Sequence, residues 1–154
     1  MSIYDVFSGG NRPFDKEEWA AAKQAQRKEA YELIDNTCSE MMASGDSFRQ
    51  YLNVQGRFDR YSVANAILVS AQMPEATQLK EYSKWKANRV YVNKDAQKII
   101  ILEPSKEYTR EDGTKGISYN VKVVYDISET SAKDRQQELE PKSMRELVSA
   151  LIDA

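Results

Sequence analysis

The spacing of apolar residues in the first part of the chain predicts a long helix. From residue 16 to about residue 43, apolar side chains recur at steps of three and four, which places them on one helical face. Asp15 followed by Glu18 is a capping-box-like start, in which side chains bond the unpaired backbone N–H groups of the first turn. Gly45 is the residue expected to end this helix.

Three shorter helices are predicted after the long one. Asp46 is placed to cap the second helix, and Ser62 is placed to cap the third. The third helix should stop before Pro74, because the residue before a proline disfavours helical geometry. Thr77 is expected to cap a fourth helix that continues to about residue 87.

After residue 88 the hydrophobic pattern changes to a period of two, which predicts strands. Short strands are expected at 90–92 and at 98–103, the second ended by Pro104, and a longer alternating strand at 117–125. The fold class predicted is therefore α+β, with N-terminal helices packed on a small antiparallel β-meander and a C-terminal helix.

The same pattern divides the chain into three parts. Residues 1–13 form an irregular lead-in, residues 14–130 form one domain, and residues 131–154 form a polar linker with an amphipathic C-terminal helix. A chain of 154 residues is long enough for one hydrophobic core. Because the last helix has no glycine, proline or basic turn after it, we expect either a docked terminal helix or a chain cut from a longer protein.

Composition excludes several classes of enzyme. The chain has no histidine and a single cysteine, Cys38, which removes the serine–histidine and cysteine–histidine catalytic arrangements and the two-histidine zinc motif. No glycine-rich loop for a phosphate is present. We therefore expect a binding protein rather than an enzyme, with no cofactor and no metal. An enzyme that uses Asp126 and Glu129 with a metal is a weaker reading, because two carboxylates in a strand-end turn are usually solvated.

Cysteine usage and hydropathy indicate a compartment. One cysteine suits a reducing environment, the first residues lack the pattern of a signal peptide, and the apolar runs are only a few residues long. We expect a cytoplasmic protein without a membrane partner.

Charge is distributed unevenly along the chain. The net charge is −2, which is not typical of a nucleic-acid-binding protein as a whole. Residues 80–98, however, hold six lysines and arginines against two acidic residues, and six minus two gives +4. This basic stripe is compatible with anion binding and equally with an ordinary solvated face.

A distinctive combination of residues begins at position 61. It comprises Tyr61-Ser62, Asn65, Ile67-Leu68, Ala71-Gln72-Met73-Pro74, Ala76-Thr77, Tyr82, Trp85, Arg89, Val92, Lys94, residues 99–102 with Pro104, and Tyr125-Asp126-Ile127-Ser128 with Thr130. In this order and spacing, over roughly residues 14–130, the chain resembles the N-terminal domain of ArdC-type antirestriction proteins, in the version found in LtrC-like proteins of conjugative elements. One departure is the turn at 92–98, which lacks the glycines usual in that family.

The resemblance implies a non-catalytic domain that binds single-stranded DNA without sequence preference. It implies a role in conjugative transfer or in protecting incoming DNA from restriction. In longer relatives a metallopeptidase-like region with a His-Glu-x-x-His motif follows this domain, and the chain has no histidine for such a motif. An alternative is a protein-interaction module that binds a host nuclease or a partner of the transfer complex, in which the charged segment 134–140 would matter more than the basic stripe.

Single-strand binding needs cations that follow the phosphates and aromatic faces on which bases stack. The candidate contacts are Arg60, Tyr61, Ser62, Asn65, Lys84, Trp85, Lys86, Arg89, Tyr91 and Lys94. For two of them, a structural role is supported by the sequence at least as well as a contact with DNA is. Trp85 fits a stripe that packs against a sheet, and Asn65 fits a polar residue that fixes a loop by hydrogen bonds.

Overall fold

The computed structural model of the chain describes residues 13–135 and 144–153. Within these residues the helices are α1 (Lys16–Ala43), α2 (Gly45–Arg57), α3 (Val63–Gln72), α4 (Tyr82–Ala87) and α5 (Met144–Asp153). The strands are β1 (Leu79–Lys80), β2 (Ile99–Thr109) and β3 (Lys115–Asp126), followed by 3-10 turns at Ile127–Glu129 and Lys133–Arg135. The predicted α+β class and the antiparallel sheet are confirmed. Residues 1–12, 136–143 and 154, which include most of the predicted lead-in and most of the segment 134–140, lie outside the described residues.

Helix α1 begins as its sequence predicts. The Asp15 carboxylate accepts hydrogen bonds from the backbone N–H groups of Glu17 at 2.9 Å and Glu18 at 3.2 Å. The rings of Phe14 and Trp19 lie 6.3 Å apart between centroids, which forms the hydrophobic staple expected beside such a cap. Trp19 therefore packs locally at the helix start.

The junction between α1 and α2 differs from the prediction. Ser44 has extended backbone geometry and ends α1, its N–H donating to the Glu40 carbonyl at 2.9 Å. Its hydroxyl then accepts from the N–H of Ser47, so the same serine caps α2. Gly45 and Asp46 lie inside the first turn of α2 instead of ending one helix and capping the next.

The fourth predicted helix is wrong at its start. Thr77 does not cap a helix, because the backbone N–H groups of Thr77 and Gln78 donate to the Asp126 carboxylate. Leu79 and Lys80 then pair antiparallel with β3, and only the residues from Tyr82 onward become helical. The buried Asp126 carboxylate and the edge of β3 both come from a distant part of the chain, and they override the local helical pattern.

The sheet has the order β1-β3-β2. Strands β2 and β3 form a long hairpin in which Ile101 lies opposite Lys122. The strand predicted at 90–92 is reduced to a single bridge between Val92 and Thr130. Pro104 does not end β2: an edge strand tolerates proline, and β2 continues beyond an irregularity between Pro104 and Glu107.

Two faces of the hairpin are covered by helices. On one face, Ile99, Ile101 and Val124 pack into the main core with buried residues of α2 and α3. On the other face, Leu102 packs against Ala30 of α1 and Leu68 of α3. Leu147 of α5 is fully buried in the main core, so the terminal helix packs onto the same unit as the other helices. None of the helices in the described ranges is long and apolar enough to cross a bilayer.

Candidate nucleic-acid interface

Trp85 organises a second, smaller core beside the sheet. It is 2% exposed and packs with Val90, Ile127 and Ala132. Its indole N–H donates to the Tyr125 carbonyl at 2.9 Å, and the Lys80 ammonium lies 4.9 Å from the ring centroid. Trp85 is therefore a core residue that packs beside the sheet, as its position in the apolar stripe predicts, and its ring offers no open face to a base.

The residues after α4 form a Schellman motif at the helix end. The Val90 N–H donates to the Trp85 carbonyl at 2.9 Å, and the Arg89 N–H donates to the Lys86 carbonyl at 3.0 Å. Trp85 and Val90 also share the small core, as the hydrophobic contact of this motif requires. The motif places Arg89 in the left-handed region with φ 59°, where glycine is the usual residue.

Hydrogen bonds to the backbone hold Tyr91 and Asn93 in place, while the side chains of both residues lie in solvent. The Tyr91 N–H donates to the Ser131 hydroxyl at 3.0 Å, and the Tyr91 carbonyl accepts from the Ser131 N–H at 2.8 Å. The Asn93 N–H donates to the Glu129 carbonyl at 2.8 Å. The Tyr91 side chain, which alternates with those of Val90 and Val92 along the chain, remains 69% exposed.

The four predicted cations of this region are all exposed: Lys84, Lys86, Arg89 and Lys94. Glu81 lies 4.0 Å from Lys84, but its shorter contact is with Lys122 at 2.6 Å. The hydrogen bond from Lys122 holds the pKa of the Glu81 carboxyl below its ordinary value, so Glu81 stays charged and is occupied by Lys122. Among the residues that the structure describes, none forms an ion pair with Lys86, Arg89 or Lys94. We call residues 82–94 the basic segment.

A groove of about 620 Å³ adjoins the basic segment along the edge of β3 that β1 leaves uncovered. Its carboxylates, Glu81 and Glu103, both contact Lys122, the second at 3.8 Å. Tyr82, which is 55% exposed, is the first residue of the basic segment and also lines this groove. The other cations along the groove are Lys23 and Lys98. Lys98 is one of the cations counted in the basic stripe of residues 80–98. The sequence did not identify Lys23 or Lys122, because a lysine at a polar position of a helix or strand has no distinguishing pattern.

The remaining predicted residues gather at the start of α3. The Ser62 hydroxyl accepts from the Asn65 N–H at 3.2 Å, so Ser62 is the predicted cap. The Tyr61 ring lies 4.9 Å from the Phe58 ring, and burial raises the pKa of the Tyr61 hydroxyl. Arg60 is exposed beside them. The helix stops at Gln72, before Pro74, as predicted.

Asn65 has a structural role that it shares with Gln72. The Asn65 amide donates to the Leu102 carbonyl at 2.9 Å and accepts from the Leu102 N–H at 2.8 Å. The Gln72 amide makes the same pair of bonds with Ile100, at 2.8 and 2.9 Å. The two side chains therefore bond the outer edge of β2 as a neighbouring strand would, and the Asn65 amide is engaged by the protein itself.

The ten predicted contacts thus fall into two groups at opposite edges of the sheet. The group at α3 lies along the outer edge of β2, and the group in the basic segment follows β1 on the far side of β3. No protein-family model, curated protein or solved structure matches the chain.

Asp126 is a structural carboxylate. It is fully buried, and one oxygen accepts from the N–H groups of Thr77 and Gln78 at 2.9 and 3.1 Å. The other accepts from the N–H and hydroxyl of Ser128 at 3.1 and 2.5 Å. These four bonds occupy the oxygens that a metal would need. In the described part of the chain, no three histidine, cysteine, aspartate or glutamate side chains are grouped as metal ligands would be.

Proposed function

We propose that the chain is a non-catalytic domain that binds single-stranded DNA without sequence preference. The observation that carries the proposal is the basic segment, in which two exposed rings, Tyr82 and Tyr91, lie among four exposed cations on a backbone anchored by Trp85. The resemblance to the ArdC-type N-terminal domain supports the same function, and with it a cytoplasmic role in conjugation or antirestriction.

The electrostatics of the segment favour a polyanion. Lys86, Arg89 and Lys94 make no ion pair with a described carboxylate, so no internal contact has to break before a phosphate binds. Glu81 is the acidic residue nearest to Lys84, and Lys122 already engages it. Each phosphate neutralised releases a counterion, which makes such binding strong at low salt and weak at high salt.

Anchoring of the backbone favours stacking as well. Tyr91 is fixed on both sides of its backbone by Ser131, so its ring is held in solvent without loss of further backbone freedom on binding. A base stacked on an aromatic ring contributes about 1–3 kcal/mol and does so for every base. The absence of sequence preference follows from this mode of contact.

Fluorescence anisotropy with a labelled oligodeoxythymidine tests the proposal. We expect binding at low salt, with log K falling by about 0.7 per phosphate contact for each decade of salt. Reversing the charge at the four cations of the basic segment, Lys84→Glu, Lys86→Glu, Arg89→Glu and Lys94→Glu, should abolish it. The matched control reverses four exposed cations elsewhere, Lys16→Glu, Lys28→Glu, Arg49→Glu and Lys106→Glu, and should retain most of the affinity.

Two results would contradict the proposal. The absence of wild-type binding at low salt would exclude single-strand binding by this chain. Equal loss in both quadruple variants would show that net charge, and not the basic segment, determines the affinity.

A second candidate function is protein interaction, as in a module that binds a nuclease or a transfer-complex partner. The observation that favours it is a set of exposed apolar side chains on α1, α2 and α5: Met42 at 92%, Phe48, Val148 and Ile152. Pull-down from host extract with and without nuclease treatment separates the two functions. A partner that survives nuclease treatment and is lost on Met42→Ser with Ile152→Ser supports this candidate, whereas partners that disappear with nuclease are bridged by DNA.

A further inference from the structure

A second groove, of about 590 Å³, opens at the start of α3. It lies between α1, the N-terminal end of α3 and the hairpin, where Leu102 and Pro104 of β2 line it. Three tyrosines contribute to the wall, one from each surrounding part of the fold: Tyr31, Tyr61 and Tyr119. We call it the tyrosine groove. The volume is within the range of about 300–1,000 Å³ that small-ligand sites occupy.

The walls of the tyrosine groove are open aromatic surface. Tyr31 is 46% exposed and Tyr119 is 37% exposed, although both line a concavity next to the main fold. The amide nitrogen and the amide oxygen of the Asn65 side chain both form hydrogen bonds with the backbone of Leu102. These bonds fix the position of α3 against β2 beneath the groove. The cavity is therefore bounded by elements that the fold itself holds in place.

Charge at the groove has one sign. Arg60 lines it and is exposed, and it makes no ion pair with any residue of the described ranges. No described residue that lines the groove is a carboxylate. A flat apolar body carrying a negative charge complements these walls, because the rings offer stacking faces and the guanidinium offers a fork for anion oxygens.

We infer that the tyrosine groove binds an unstacked nucleotide of the same single strand that the basic segment holds, with the base against Tyr31 or Tyr119 and the phosphate on Arg60. The inference rests on the proposed function. Helix α1 lines both grooves, one through Lys23 and the other through Tyr31. These residues are eight positions apart, which is about 12 Å along a helix, so an oligonucleotide that extends past the basic segment can reach the tyrosine groove along α1.

The experiment combines affinity with crosslinking, using an oligodeoxythymidine of about 16 nucleotides, the upper end of single-strand site sizes. Tyr119→Ala should weaken binding by about 5- to 150-fold, the loss that corresponds to one stacked base. Tyr119→Phe keeps the ring and should bind as the wild type does. Ile117→Ala, which removes an exposed apolar side chain outside the groove, should also leave affinity unchanged.

Photocrosslinking with a 5-iodouracil oligonucleotide locates the contact directly. Crosslinked peptides should contain Tyr31 or Tyr119, and the yield should fall with Arg60→Gln. Unchanged affinity of Tyr119→Ala, together with crosslinks confined to the basic segment, would overturn the inference while the proposed function stands. Absence of any binding by the wild-type protein overturns both. Thermal unfolding of each variant distinguishes a lost contact from a lost fold.

Discussion

Arg89 occupies the left-handed backbone region at the end of α4, with φ 59°. For an L-residue with a side chain this geometry costs roughly 1–2 kcal/mol, because Cβ approaches the following carbonyl oxygen. The surrounding motif still forms, since Trp85 and Val90 bury apolar surface on either side of the position. An arginine at a site where glycine is favoured suggests that its charge is used.

Replacing Arg89 with glycine should change the stability of the fold and the affinity for an oligonucleotide in opposite directions. Arg89→Gly should raise the free energy of unfolding by up to about 1 kcal/mol, because the strain is relieved. It should at the same time weaken oligonucleotide binding and reduce the salt slope by about 0.7, the share of one phosphate contact. Urea denaturation and anisotropy measure the two effects. Arg89→Lys is the control, which keeps both the charge and the strain; a less stable Arg89→Gly protein would contradict the prediction.

At the level of the element, α3 replaces a strand. Asn65 and Gln72 are seven positions apart on one helix, and their side chains form hydrogen bonds with alternate residues of β2. Their amides pair with the outward-facing N–H and C=O groups of Ile100 and Leu102, so the sheet edge is closed in its buried part. This arrangement fixes α3 against the hairpin and thereby positions Arg60 and Tyr61.

Truncating either amide should open this edge. Asn65→Ala and Gln72→Ala should each lower the free energy of unfolding by about 1–3 kcal/mol, because each leaves a backbone donor and acceptor of β2 without a partner. Amide hydrogen exchange should accelerate at Leu102 in the first variant and at Ile100 in the second. Gln50→Ala is the control. The side-chain amide of Gln50 makes one hydrogen bond, to the Ser70 carbonyl at 3.1 Å, so this substitution should lower the free energy of unfolding by less.

If instead exchange at Ile100 and Leu102 is unchanged in both variants, the amides do not close the edge. If Asn65→Ala weakens oligonucleotide binding without loss of stability, Asn65 contacts the ligand, and its structural role in β2 is secondary.

At the level of the whole molecule, two cores share one strand. Val124 of β3 belongs to the main core, and the adjacent Tyr125 packs against the small core around Trp85. The Asp126 carboxylate then binds Thr77 and Gln78, the two residues just before β1. Because the small core depends on a strand of the main core, we expect them to unfold together.

The two tryptophans of the chain allow this to be measured. In Trp19→Phe, Trp85 is the single tryptophan, and its fluorescence reports the small core, while far-UV circular dichroism reports the helices. The two urea transitions should coincide, as two-state unfolding requires. The reciprocal Trp85→Phe protein, with Trp19 on α1, serves as the comparison. Loss of Trp85 fluorescence at a lower urea concentration than loss of helix would show that the small core unfolds separately.

Features that depend on neighbouring residues could be predicted from the sequence. The Asp15 and Ser62 caps, the end of α3 before Pro74 and the amphipathic terminal helix are set by side chains within a few positions of the backbone groups they satisfy. The exposure of Tyr91, whose side chain alternates with those of Val90 and Val92, depends on neighbouring residues in the same way. These interactions form within a single segment, so their pattern is visible in the order of residues.

Features that depend on distant partners could be seen only in the folded chain. Leu79 and Lys80 became a strand because β3 and Asp126 lie beside them, and Trp85 became core because the segment after β3 folds over it. Asn65 paired with β2, and the tyrosine groove formed from three separate parts of the chain. No local pattern encodes these contacts, because their energy arises only when residues remote in sequence are brought together.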